Sequence, residues 1–266
     1  MDRVDVSGLT IGYERAGVGP PLVLLNGYVG DGAGTWRAQL DGLSDEFTVV
    51  AWDSPGSGRS SDPPESFGIS GYADCLAGFL DALGLGRAHV AGMSFGGTVA
   101  LALHGRHPRL TASLVLAGAY AGWAGSLPPD EVTRRLDQAL SLAARPGGEL
   151  AEALVPTMFS ASVPPATREA FVALLADVHP AGFRAMARAV AAADLRDVLP
   201  RVDVPTLLVH GEHDVRAPRH VVDDLHMAIP GATLIVLPDV GHLTCMEAPG
   251  PFNDIVRAFL HDLGPP

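Results

Sequence analysis

Gly92-Met93-Ser94-Phe95-Gly96 limits the fold of this chain more than any other stretch. The apolar run Ala88-His89-Val90-Ala91 leads into it, and a helical pattern from Gly97 to His107 leads out. A strand that hands over to a helix so abruptly forces the corner residue into a strained backbone conformation. A side chain at Gly92 or Gly96 would crowd that corner, which is why glycine suits both positions. The strain lifts the serine hydroxyl above the end of a sheet, and the helix N-terminus aims its N–H groups at whatever binds there.

The rest of the chain supplies the sheet. Strands are predicted at Leu9 to Glu14, Leu22 to Leu25, Thr48 to Trp52, His89 to Gly92, Leu114 to Ala117, Thr206 to Val209 and Thr233 to Leu237. Several are unbroken leucine or β-branched runs, the signature of strands covered on both faces. Helices are predicted at Tyr72 to Leu83, Thr98 to His107, His220 to Ala228 and Phe252 to Leu263. Alternation of this kind gives an α/β fold with a mostly parallel central sheet flanked by helices. The rhythm stops between Tyr120 and Leu199, where helical patterns lie near Glu131 to Ala144, Thr167 to Val178 and Arg184 to Val198 among prolines at 128, 129, 146, 156, 164, 165 and 180. Residues 120–199 are therefore read as an inserted helical cap, with 1–119 and 200–266 forming the core. Gly264-Pro265-Pro266 is read as a frayed end.

Composition removes several functions. With 266 residues, 47% of them hydrophobic and 18% charged, the chain can bury a sizeable core. Its 18 basic residues are all arginine, so Schiff-base and Ser–Lys chemistry are excluded. The net charge of −12 repels phosphate backbones and anionic lipid, so neither nucleic acid nor a membrane is an expected partner. The N-terminus lacks the apolar core of a signal peptide, and Cys75 and Cys245 are too few for a disulfide framework, which together predict a cytoplasmic protein. Cys245 lies close to His242 in sequence but is read as a small apolar side chain rather than a thiol nucleophile.

A serine hydroxyl is a weak nucleophile near neutral pH and needs a base, and the base needs a carboxylate to fix its tautomer. At the C-terminal ends of later strands the chain offers Asp214, in His210-Gly211-Glu212-His213-Asp214, and His242, in Pro238-Asp239-Val240-Gly241-His242. Glu212 is the rival acid and His213 the rival base. Ser94, Asp214 and His242 follow the chain order expected of a hydrolytic triad on such a sheet. A tetrahedral intermediate also needs two preorganised donors. The Phe95 amide, directly after the serine, is one. The Tyr28 amide, in the loop Asn26-Gly27-Tyr28-Val29-Gly30 after the strand Leu22 to Leu25, is the other.

These residues resemble the α/β-hydrolase superfamily over nearly the whole chain. The family's elbow matches Gly92 to Gly96, its acid Asp214 and its histidine His242. Its D-x-x-G-x-G-x-S turn matches Asp53-Ser54-Pro55-Gly56-Ser57-Gly58-Arg59-Ser60, where Asp53 is read as holding the turn. Many members open the oxyanion loop with His-Gly. Asn26-Gly27 here, with the run His242 to Pro249, is similar to the 3-oxoadipate enol-lactonase branch. The resemblance implies an α/β-hydrolase fold with a cap over the pocket, and no cofactor or metal. A serine at the elbow, where dehalogenases and epoxide hydrolases carry aspartate, implies acyl transfer to water.

The expected function is a serine hydrolase of a small or medium carboxylic ester or lactone, acting through an acyl-enzyme on Ser94. The alternatives are a carbon–carbon hydrolase or lyase on the same triad, or a non-catalytic small-molecule binder. Asn26, Trp36, Trp123 and Phe159 are the candidate pocket residues, with Met158, Phe171, Phe183 and Met186 as further cap aromatics and methionines. Cap arginines 134, 135, 145, 168, 184 and 188 include candidates for holding a substrate carboxylate, as the lactonase likeness implies. The histidine pairs His104/His107 and His210/His213 lack a third metal ligand in sequence, so no metal site is expected. A small-molecule substrate is the expected partner, and association into a homo-oligomer stays open.

Overall fold

The structure, a computed structural model, describes residues 2–145 and 147–263. Pro146 and the closing Gly264-Pro265-Pro266 lie outside the described residues.

Among the described residues the strands are β1 (Asp2–Val6), β2 (Leu9–Ala16), β3 (Pro21–Leu25), β4 (Thr48–Trp52), β5 (Ala88–Met93), β6 (Thr111–Ala117), β7 (Thr206–Gly211) and β8 (Thr233–Leu237). They form one sheet in the order β1-β2-β4-β3-β5-β6-β7-β8. The β1/β2 and β2/β4 pairs are antiparallel and all the others parallel. Residues of β4 through β7 are buried on both faces, as their apolar runs require.

The first helices are α1 (Gly32–Thr35), α2 (Arg37–Leu43), α3 (Gly68–Ala82) and α4 (Phe95–Arg106). Four more, α5 (Pro129–Leu142), α6 (Gly147–Met158), α7 (Pro165–Leu175) and α8 (Pro180–Ala192), fall between β6 and β7. After β7 come α9 (Arg219–Ala228), α10 (Thr244–Glu247) and α11 (Pro249–Leu263). Helix α3 packs against α4, and α2 against α10 and α11, giving two helix groups around the sheet.

Several elements depart from the sequence reading, three of them for clear reasons. Strand β1 carries Asp2, Arg3 and Asp5, charges that hide a strand signal but suit an exposed edge. Helix α6 contains Pro156 near its C-terminus, and a proline inside a helical pattern ordinarily argues against one. Helix α8 begins at Pro180, with proline at its first position, and ends at Ala192 rather than at Val198.

The inserted helices are tied back to the core where the chain leaves and returns. The N–H groups of Trp123 and Gly125 donate to the carbonyls of Val190 and Ala193, and that of Leu195 to Ala121. Gly122, at φ 77°, permits the crossing, since a Cβ there would lie 2.0 Å from the Ala193 carbonyl oxygen.

Candidate active site

Strand β5 ends at Met93 and α4 begins at Phe95, so the whole turn is one residue, Ser94. Its backbone sits at φ 52°, ψ −110°, a region non-glycine residues seldom adopt. The crowding expected at the glycines is severe. A Cβ on Gly92 would lie 2.4 Å from the Gly96 carbonyl, and one on Gly96 would lie 2.3 Å from the Leu25 carbonyl oxygen. The Ser94 N–H donates to the Ala117 carbonyl at 2.8 Å, while its own carbonyl accepts from Gly97 and Thr98 to start the helix. The hydroxyl itself makes no hydrogen bond among the described residues.

Asp214 and His242 meet beside it. His242 Nδ1 lies 2.8 Å from Asp214 Oδ2, and both residues are buried. The other carboxylate oxygen, Oδ1, accepts from the backbone N–H groups of Arg216 and Ala217, each at 2.8 Å. Burial works to raise the Asp214 carboxyl, but the charge and hydrogen bond of His242 and the Ala217 N–H hold it below its ordinary value. Ser94 and His242 line one cavity with Gly27, Tyr28, Val29, Thr35, Met158, Phe171, Leu243 and Met246. Its free volume is about 10 Å³, no more than a single water occupies.

The rival groups point elsewhere. Glu212 is exposed and accepts from the Asp239 N–H, and His213 is 53% exposed. Burial pushes the Cys245 thiol up to about 12, so it carries no thiolate near neutral pH. Glu212, His213 and Asp239 do approach one another on the surface of the acid and histidine loops, three residues of metal-binding type that sequence spacing had not joined.

The Phe95 amide opens α4, and Gly27-Tyr28 lies on the wall of the same cavity. Neither the Phe95 nor the Tyr28 N–H donates a hydrogen bond among the described residues. That leaves both free for an incoming oxygen. The Tyr28 side chain turns the other way, stacking on Phe183 at 5.1 Å and meeting Trp123 edge-on.

The four candidate pocket residues lie outside that cavity's lining. Asn26 is a structural tie: its Oδ1 accepts from the Ser54 N–H and hydroxyl, and its Nδ2 donates to the Gly27 carbonyl. It fastens the 26–30 loop to the 53–60 turn, which answers what asparagine does in place of histidine. Trp36 is wholly buried against Phe252. Trp123 lines a different cavity, and Phe159 packs edge-on against Phe171. The sequence could not separate these from Met158 and Phe171, because which side chains turn toward Ser94 is set by how loops and helices finally pack. Asp53 holds its turn: its carboxylate accepts from the Gly32 and Arg59 N–H groups and the Arg59 guanidinium.

Two further residues emerge only in three dimensions. Gly118, at φ 51° just past β6, faces the imidazole, and a Cβ there would lie 3.0 Å from both Nδ1 and Cε1 of His242. Gly118→Ala is therefore expected to push the ring off line and lower kcat about 100-fold, as ångström-scale misplacement does. Matched circular dichroism with undiminished kcat would refute this.

Glu247 clamps the cap to the histidine loop. Its carboxylate accepts from the Gly241 N–H at 2.9 Å and from the Ser160 N–H and hydroxyl, beside a Leu243 N–H bond to the Met158 carbonyl. Glu247→Ala strands those donors and is expected to cost roughly 1–3 kcal/mol, read as a fall in thermal or urea stability.

Residues 22–255 match the model of the alpha/beta hydrolase family. The chain belongs to the α/β-hydrolase family. It is 30% identical over 263 residues to RutD of Azorhizobium caulinodans, provisionally named a carbamate hydrolase, covering 94% of this chain and 95% of that one. Among solved structures it is similar to a thermophilic esterase from Thermogutta terrifontis with malate bound (TM-score 0.91, 29% identity, 99% of each chain). It is also similar to the enol-lactonase from Burkholderia xenovorans LB400 (TM-score 0.89, 28% identity, 98% of this chain and 100% of that one). The protein is accordingly a hydrolase of this family, similar to enol-lactonase-like enzymes. No described helix is long and apolar enough to cross a membrane.

Proposed function

We propose that the protein is a serine hydrolase that cleaves a small or medium carboxylic ester or lactone through an acyl-enzyme on Ser94. One observation carries the reading. A strained serine shares a cavity with a histidine whose far nitrogen is held by a buried carboxylate. Binding alone has no need of that strain.

In this mechanism His242 Nε2 takes the hydroxyl proton as Ser94 Oγ attacks the carbonyl carbon. Asp214 keeps the proton of the imidazole on Nδ1 and stabilises the imidazolium. The negative oxygen of the tetrahedral intermediate accepts from the Phe95 and Tyr28 amides, each such donor contributing roughly 3–4 kcal/mol. Collapse expels the alcohol with the His242 proton. Water, activated by the same histidine, then frees the acid. The esterase and lactonase relatives support ester and lactone substrates over carbon–carbon cleavage.

The test is labelling with a fluorophosphonate followed by peptide mass spectrometry. One adduct per chain, on Ser94, is expected. An unlabelled Ser94 in protein that hydrolyses 4-nitrophenyl esters removes the reading.

A further inference from the structure

An oxyanion donor must keep its N–H free for the substrate oxygen, so no hydrogen bond of its own can fix its direction. Helix α4 settles this for Phe95, which is its first residue. Tyr28 has no such support, because it lies in a loop. Among the described residues neither the N–H nor the carbonyl of Tyr28 or Val29 makes a hydrogen bond. Asn26 ties only the shoulders of that loop, donating to the Gly27 carbonyl at 3.0 Å and the Gly30 carbonyl at 3.4 Å. The middle is left to the Tyr28 side chain.

That side chain is buried and stacked on Phe183, with ring centroids 5.1 Å apart and planes 8° from parallel. Stacking fixes the plane of a ring but lets it slide within that plane. A directional bond at the hydroxyl prevents the slide, and the Tyr28 hydroxyl has one among the described residues. It accepts from the Arg216 guanidinium, whose central carbon also lies 5.6 Å from the ring centroid. A charged donor makes this a stronger bond than a neutral one would be. The guanidinium makes no salt bridge among the described residues; its other hydrogen bond goes to Thr157 Oγ1, on α6, at 3.1 Å.

Arg216 can act as an anchor because its own backbone is braced on both sides. Its N–H donates to Asp214 Oδ1 at 2.8 Å. Its carbonyl accepts from Arg135 at 2.7 Å and from the Tyr120 hydroxyl. One residue therefore binds the catalytic acid through its main chain and the oxyanion loop through its side chain.

We infer that Arg216 is a positioning residue that holds the Tyr28 amide at the place where the oxyanion forms, joining the oxyanion loop to the acid loop. The inference rests on the serine-hydrolase reading and adds to it a residue that touches neither substrate nor Ser94.

The test uses Arg216→Met, Tyr28→Phe and the double variant, with 4-nitrophenyl hexanoate as substrate and pentyl trifluoromethyl ketone as inhibitor. Ser94 Oγ adds to the ketone carbon and its proton passes to His242, leaving an oxyanion that accepts from the Phe95 and Tyr28 amides. Each single variant is expected to lower kcat/KM about 30-fold, less than the roughly 10²- to 10³-fold lost when a donor is removed outright. The inhibition constant of the ketone should rise by the same factor, since the interaction belongs to the transition state. The double variant should lose no more than either single one, because both break the same bond. The acid-limb midpoint of kcat/KM should not move, since the Asp214–His242 pair is untouched. Tyr28→Phe removes a single oxygen, so it keeps the test open should Arg216→Met fold poorly.

A Tyr28→Phe protein within about twofold of wild type, or losses that multiply in the double variant, would overturn the inference. So would a fall in kcat/KM that leaves ketone affinity unchanged, or one that comes with a shifted midpoint, which would place the effect on Asp214. Failure of the serine reading shows itself separately, as a wild type that the ketone does not inhibit.

Discussion

Ser94→Ala is expected to lower kcat for 4-nitrophenyl esters by roughly 10⁴- to 10⁶-fold, the range for loss of a triad nucleophile. The fold should be untouched. The hydroxyl makes no hydrogen bond among the described residues, so its removal strands no donor or acceptor. Alanine inherits the same φ of 52°, so the backbone strain is unchanged and stability should stay within about 0.5 kcal/mol. Ser94→Gly separates the two contributions. It should be as inactive, yet more stable than the alanine variant, since glycine accepts positive φ without the steric cost. Rates and melting temperatures of the three proteins check both points. An alanine variant within tenfold of wild type would remove the acyl-enzyme.

Asp214→Asn is expected to lower kcat about 10⁴-fold while leaving the fold intact. The reason lies in which oxygen does what. Oδ1 already accepts from the Arg216 and Ala217 N–H groups, so the amide oxygen of asparagine must take that place. The NH₂ then faces His242 Nδ1 and donates to it. That drives the imidazole proton onto Nε2, where it blocks removal of the serine proton.

Stability gives an independent reading of the same site. Because the Asp214 carboxyl titrates below its ordinary value when folded, it adds stability above the usual carboxylate range, and that stability is lost as pH falls through the folded value. Asp214→Asn should lack this part of the acid-limb dependence. A wild-type-like slope of stability against pH below about 4 in the variant would mean that Asp214 is not held ionised.

Much of this was legible in the sequence, and for identifiable reasons. The elbow is local: strand, one strained residue and helix lie within a dozen positions, and glycines at 92 and 96 are demanded by backbone contacts of 2.4 Å or less. Asp214 and His242 could be placed because parallel strands deliver their following loops to one rim of the sheet. The buried strands announced themselves by composition. Two elements were hidden by a competing local signal, β1 by its charges and α6 by its internal proline.

Chain order, the corner residue and the parallel sheet were thus determined by the sequence alone, since periodicity and sterics act between near neighbours. Only the tertiary structure decided which cap residues face Ser94, that Gly118 makes room for the His242 ring, that Glu247 pins the cap, and that Arg216 meets Tyr28 and Thr157 across 188 and 59 residues of chain. Those contacts depend on the rotation of each helix about its axis and on loops that cross between layers. No spacing along the chain encodes either, because both are set by how the apolar faces finally pack.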